Sequence, residues 1–222
     1  MFSLRITLLT LSLLANIASA RSQTSTQATP AEQRKTSDPY KGDLSIFESP
    51  GRDQRLQINR VMDILGITTG KSVADIGAGS GWFTVRAAKR VGGMGLVYAV
   101  DINDDAVHYI EKRANKEKLP NVKAILSTPD DPRVPSNSVD AVLMLKTYHE
   151  ISHPVELLKN LRAALRPGAK IGIIDRNGNG EDHGIQRDVI VREADEAGYK
   201  LLDKYDFVKD GMDYFLVFTA KD

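Results

Sequence analysis

Val73-Ala74-Asp75-Ile76-Gly77-Ala78-Gly79-Ser80-Gly81-Trp82-Phe83-Thr84 is the stretch that decides the fold. A short apolar run carries an acid near its end, three glycines alternate through a turn, and a helical pattern begins at Trp82. Glycine tolerates positive φ and lets a ligand approach the main chain with no Cβ in the way. In open α/β sheets a turn of this kind, at the carboxyl end of the first strand, is where nucleotide-like ligands bind. The spacing separates two ligand classes. A dinucleotide fingerprint needs G-x-G-x-x-G, and Trp82 stands where its third glycine would be. The order here is acid-x-Gly-x-Gly-x-Gly.

That order resembles motif I of the class I S-adenosylmethionine-dependent methyltransferases. The resemblance implies S-adenosylmethionine as cofactor, with Gly77, Gly79 and Gly81 against its methionine end and Asp75 helping to orient it. Leu96 to Ile102 reads as a second strand ending in an acid, Asp101, which lies twenty residues after Gly81. A carboxylate there can accept hydrogen bonds from both ribose hydroxyls. By the same resemblance Ile102 packs on the adenine, and Asp130, with Asp131 close behind, meets the adenine amino group. Pro129-Asp130-Asp131-Pro132 is equally an ordinary turn, and both readings stand.

Outward from the motif the chain alternates strands with helical segments. Val122–Leu126, Ser138–Leu145 and Ala169–Asp175 read as strands, and Asp53–Leu65, Leu157–Leu165 and Ile185–Ala197 as helices. Arg166-Pro167-Gly168 supplies a helix stop. Tyr199–Val208 and Met212–Thr219 flank Asp210-Gly211 and read as a hairpin. Near-continuous apolar strands fit a parallel sheet covered on both faces. The expected fold is α/β: a doubly wound, mostly parallel seven-stranded sheet with a C-terminal antiparallel hairpin. Such a hairpin belongs to the methyltransferase fold and not to the dinucleotide fold, and the resemblance spans roughly residues 48–220.

The amino terminus has another character. Residues 1–5 are a short basic start, 6–17 are mostly apolar, and Ala18-Ser19-Ala20 follows, the layout of a secretory signal peptide. Residues 21–45 then read as a flexible leader rich in Ser, Thr, Gln and Pro, and 46–222 as one catalytic domain. The expected location is exported, periplasmic or secreted, with a mitochondrial presequence as the alternative. Its apolar run is too short to span a bilayer. Thirty basic and 29 acidic residues give a formal charge of +1, which falls to 0 once Arg5 is removed, so no electrostatic footprint for nucleic acid is expected. With no cysteine in the chain, disulfides and thiolate nucleophiles are excluded.

Methyl transfer requires a nucleophile aligned with a sulfonium carbon, and sometimes removal of its proton. The place for this is the end of the fourth strand, Lys146-Thr147-Tyr148-His149-Glu150-Ile151. His149 is the candidate general base, and Tyr148 a candidate wall of the methyl pocket. Asp175 and Arg176 follow the fifth strand, and the polar loop Asn177–Gly184 beyond them, with Asp182 and His183, either covers a substrate or is a solvated connection with His183 exposed. Resemblance to related domains implies that Glu48, Arg52 and Asp53 fold over the cofactor; as surface charges at a helix start they need no such role. His149, His153 and His183 with nearby acids could suggest a metal site, but none is expected: the His149-x-x-x-His153 spacing runs into Pro154 and has no clear third ligand. The reading is therefore methyl transfer from S-adenosylmethionine to a small-molecule or lipid-like acceptor, by in-line displacement. A non-catalytic exported binding or scaffold protein and a nicotinamide-dependent oxidoreductase are the alternatives.

Overall fold

The computed structural model describes Arg34, Thr36, Tyr40 and residues 42–179 and 182–222. The signal peptide and most of the leader fall outside the described residues. The apolar runs pair into one seven-stranded sheet. In chain order the strands are β1 (Ser72–Ile76), β2 (Leu96–Asp101), β3 (Val122–Leu126), β4 (Val139–Leu145), β5 (Leu165–Asp175), β6 (Tyr199–Tyr205) and β7 (Tyr214–Ala220). Their order across the sheet is β3-β2-β1-β4-β5-β7-β6. The first five run parallel; β7 is antiparallel to both β5 and β6. The chain order reverses between β1 and β4, which opens a crevice beyond the carboxyl ends of those two strands.

Alternation along β1 distributes its residues to two layers. Ala74 and Ile76 pack with α5 (Pro154–Leu161) and α6 (Arg187–Glu196) on one face. Val73 packs with α2 (Ile58–Leu65) and α3 (Trp82–Val91) on the other. Helix α4 (Asp104–Lys116) joins the second layer through Ile110 against Ala99. Asn103 caps α4, its side chain accepting from the Asp105 N–H at 3.0 Å. Asp101 is thereby left out of the capping. Among the described residues, no helix is long and apolar enough to cross a membrane.

Three boundaries differ from the sequence reading. The helix expected over Asp53–Leu65 is two, α1 (Arg52–Leu56) and α2, broken at Gln57, which has φ 48° and ψ 48°. Its N–H closes α1, and its amide donates to the Phe207 carbonyl at 3.2 Å. Leu165 belongs to β5 and not to α5, because the last helical turn tightens over Arg162–Ala164. The pairing then jumps from Val139↔Leu165 to Ala141↔Lys170, so the Arg166-Pro167-Gly168 turn is a bulge within the strand. Asp210 and Gly211 do take positive φ, 73° and 78°. They sit, however, in a longer connection, 206–213, between β6 and β7.

The described part of the leader is also not idle. Arg34 donates to both Glu193 carboxylate oxygens, at 3.0 and 2.8 Å, and to the Ile151 carbonyl at 2.8 Å. A 3₁₀ turn over Leu44–Glu48 follows, started by the Asp43 carboxylate. Asp43 is held below the usual carboxylate range by its bonds from Ser45.

Candidate active site

The glycine turn is held to the end of β2. The Gly77 and Ala78 N–H groups both donate to the Val100 carbonyl, at 2.8 and 3.0 Å. The Gly79 N–H donates to Asp101 Oδ2 at 2.8 Å, and the Asn103 N–H to Oδ1 at 2.9 Å. Both oxygens of Asp101 are thus fixed by backbone. Burial raises the Asp101 pKa, and the N–H groups of Asn103, Gly79 and Ile102 pull it back. All three glycines have positive φ. At Gly77 (φ 70°) a Cβ would also collide with the hydroxyl of Thr147, two residues beyond β4. The turn can enter the β1/β4 crevice only with hydrogen at that position.

That crevice is a cavity of about 640 Å³. Gly77, Gly79, Asp101, Ile102, Ser127 and Pro129 line one part of it, and Thr147, His149, Glu150, Arg176 and His183 another. Leu44, Ile46 and Phe47 of the 3₁₀ turn are also in its wall. A smaller recess of about 50 Å³ shares Phe47, Gly79 and Lys146 with it and reaches Arg52 and Asp75. A volume of several hundred Å³ with few convergent polar groups is that of a small-molecule site. A nucleoside with a charged tail fits these residues: an open glycine backbone, a pinned carboxylate, and Ile102, a large apolar side chain left 46% exposed.

The other residues singled out from the sequence divide. Asp75 is buried and accepts from the Thr84 hydroxyl at 2.6 Å, reaching only the smaller recess. Burial pushes its pKa to about 7 against the bonds from Thr84. Gly81 is the cap of α3, facing Ile110 and not the cavity. Asp130 and Asp131 do not line the cavity; Ser127 and Pro129 do. Their carboxylates close the turn locally, Asp130 on Thr128 Oγ1 and Asp131 on the Arg133 N–H, both at 2.8 Å. Tyr148 is likewise not in the cavity wall. It is fully buried, its hydroxyl donating to Glu193 at 2.9 Å. The 3₁₀ turn Tyr148–Glu150 sends successive side chains in different directions, so only His149 and Glu150 reach the cavity. Glu48 accepts from Ser80 Oγ at 2.6 Å and pairs with Arg113, tying the 3₁₀ turn to the glycine turn. Arg52 stacks on Trp82 and pairs with Asp210 at 2.9 Å, and Asp53 pairs with Arg86.

His149 is buried beside Asp175, its Nδ1 at 2.9 Å from both carboxylate oxygens. Asp175 is fully buried, and accepts from the N–H groups of His149 and Arg176, at 3.2 and 2.9 Å. Nδ1 faces a carboxylate, which can only accept, so it keeps its proton in both ionisation states; Nε2, the nitrogen that titrates, lies 3.7 Å from Glu150 Oε1. Burial lowers the His149 pKa, but Asp175 and Glu150 outweigh it and raise it to about 9. His183 Nδ1 lies 3.8 Å from the same Glu150 oxygen. Of the two histidines that the sequence groups with His149, His183 is at the site and His153 is not: its ring meets Ser152 Oγ at 3.1 Å. The partner that sequence could not assign to His149 is Asp175, at the end of the next strand, and the parallel pairing of β4 with β5 is what brings it there.

Fold and site define a class: an open α/β domain with a cavity of nucleoside size at the switch point of its sheet. Comparison with known proteins narrows it. The family model described as a methyltransferase domain matches residues 73–168. A 2-phytyl-1,4-naphtoquinone methyltransferase of Trichormus variabilis is 28% identical over 157 residues, 68% of each chain. An aklanonic acid methyltransferase of Streptomyces is 33% identical over 84 residues, 38% of each chain. The crystal structure of a SAM-dependent methyltransferase from Aquifex aeolicus superposes with a TM-score of 0.71 at 26% identity, covering 80% of this chain and 98% of that one. The chain belongs to the class I S-adenosylmethionine-dependent methyltransferases, and its cofactor is S-adenosylmethionine.

Proposed function

We propose that the chain methylates a small, partly apolar acceptor carrying an acidic hydroxyl or enol, bound at the His149–Glu150–Arg176–His183 end of the cavity. The observation that carries this reading is the continuity of one cavity from Asp101 to His149. It suits a donor at the glycine turn and an acceptor beside the histidine. Two relatives support it, since their names state a naphthoquinone and aklanonic acid as what they methylate. The names belong to those proteins, and the class of acceptor is our inference.

S-adenosylmethionine, when bound, supplies an electrophilic methyl carbon for in-line displacement by the acceptor. On this reading Asp101 takes the ribose hydroxyls, Ile102 the adenine, and the Gly77–Gly79 backbone the methionine end. Arg52 and Asp75 at the smaller recess complement a zwitterionic tail. His149 Nε2 receives the acceptor's proton while Asp175 steadies the imidazolium that forms. A base of pKa about 9 is matched to a phenol or enol proton and would be wasted on an alcohol. We further propose, from the layout of residues 1–20 alone, that the chain is exported and cut after Ala20; a mature protein starting at Arg21 by terminal sequencing is the expected result.

The test is transfer of labelled methyl from S-adenosylmethionine to a panel of quinols, phenols, alcohols, protein and RNA. Labelling of quinols or phenols that falls about 100-fold or more in His149→Gln is expected. Labelling confined to protein or RNA, or His149→Gln at wild-type rate, would overturn the reading.

A further inference from the structure

His149, Glu150 and His183 converge at one edge of the cavity. One donor atom from each, imidazole nitrogen or carboxylate oxygen, lies within 4.8 Å of the others. From these residues we propose that the cluster is a binding site for a divalent first-row transition-metal cation, with Zn²⁺ the best-matched ion. Two imidazoles and one carboxylate suit such a cation, whereas Mg²⁺ and Ca²⁺ prefer sites built from oxygen.

The geometry is near what a cation needs. Zn–N and Zn–O bonds of about 2.0–2.1 Å at tetrahedral angles place ligand atoms roughly 3.3 Å apart. Here Glu150 Oε1 lies 3.7 Å from His149 Nε2 and 3.8 Å from His183 Nδ1. A shift of a few tenths of an ångström would close both. The first ligand is already oriented: His149 donates its Nδ1–H to Asp175, itself held by two backbone N–H groups. A carboxylate behind a ligating imidazole fixes the ring and raises its basicity. The second imidazole stands edge-on to the first, with ring centroids 5.9 Å apart and planes at 89°. His183 holds that place with a backbone φ of 60°, a conformation uncommon for histidine. All three side chains line the same cavity as Gly79 and Asp101. Coordination positions not taken by protein would open toward the acceptor, whose oxygen could complete the set.

The inference stands apart from the placement of the donor but replaces one step of the methyl-transfer reading: with Nε2 on a cation, His149 would not take the acceptor's proton, and the cation would instead lower the pKa of an acceptor hydroxyl bound to it. The full chain, freed of metal by chelation, is titrated with Zn²⁺ by calorimetry and with Co²⁺ by visible absorption, alongside His183→Ala and Glu150→Gln. The His183 side chain is 61% exposed, so its removal tests the site without emptying the core. One equivalent of Zn²⁺ bound at micromolar Kd or tighter, and weakened about tenfold or more in both variants, is expected. No binding below millimolar, or unchanged affinity in both variants, overturns the proposal. S-adenosylmethionine is titrated into the same sample. Donor bound without cation overturns the metal site alone, and cation bound without donor leaves the metal site standing while removing the methyl-transfer reading.

Discussion

Two buried titratable side chains set how this molecule should answer to pH. His149 has a folded pKa of about 9 against an ordinary 6.5. Its contribution to stability is therefore complete below about pH 6.5 and is lost as pH rises through 9. Asp75, raised from 3.8 to about 7, acts in the same direction: its penalty grows between about pH 4 and 7 and is full above. Asp75→Asn, which keeps an acceptor for Thr84, should therefore raise Tm more at pH 8 than at pH 4.5. An equal change at both pH values would show Asp75 ionising normally. In catalysis, kcat/KM for a phenolic acceptor should climb about tenfold per pH unit toward pH 9, and Asp175→Asn should move the plateau to lower pH. A flat profile between pH 6.5 and 9 would remove His149 as base. None of this coupling was visible in sequence: His149 and Asp175 are 26 residues apart, and a lone histidine after a strand carries no sign of its partner.

Elements were legible where their signal is local. The acid-x-Gly-x-Gly-x-Gly order located β1, the turn and α3 because each requirement there, burial on both faces or positive φ, is met by residue type alone. Gln57 escaped because apolar spacing continues through it and glutamine carries no turn signature. Its left-handed conformation is imposed by tertiary contact, with Phe207 on one side and the start of α2 on the other. The break has a consequence of unusual sign. In a continuous helix Gln57→Gly would cost roughly 0.5–1 kcal/mol; at φ 48° it should leave stability unchanged or raise it by up to about 1 kcal/mol. Urea denaturation distinguishes the two, and a loss near 1 kcal/mol would mean α1 and α2 are one helix. Gly77→Ala is the opposite case. It meets both positive φ and the Thr147 hydroxyl and should cost about 2 kcal/mol or more.

At the scale of the molecule, strand alternation and the terminal hairpin were enough for the sheet, but not for what closes its crevice. Composition marks residues 21–45 as leader, yet Thr36, Tyr40 and Leu44 line the cavity. The anchor is Arg34, an unremarkable residue in a polar stretch, whose partners Glu193, Tyr148 and Ile151 lie far along the chain. Arg34→Ala should leave the fold intact and weaken S-adenosylmethionine binding about 5-fold or more, mainly through faster release, since a side chain–carboxylate pair backed by two carbonyls is lost. Unchanged release by stopped flow would mean this segment covers nothing.

The measurement that bears most directly on the whole account is calorimetric titration of S-adenosylmethionine into the chain and into Asp101→Ala, with NAD as control. The account predicts one site, affinity lower by about 30-fold or more in the variant through loss of charge-assisted hydrogen bonds, and no comparable heat from NAD. Equal affinity in the variant, or NAD bound in preference, would contradict the placement of the donor against Asp101 and the glycine turn.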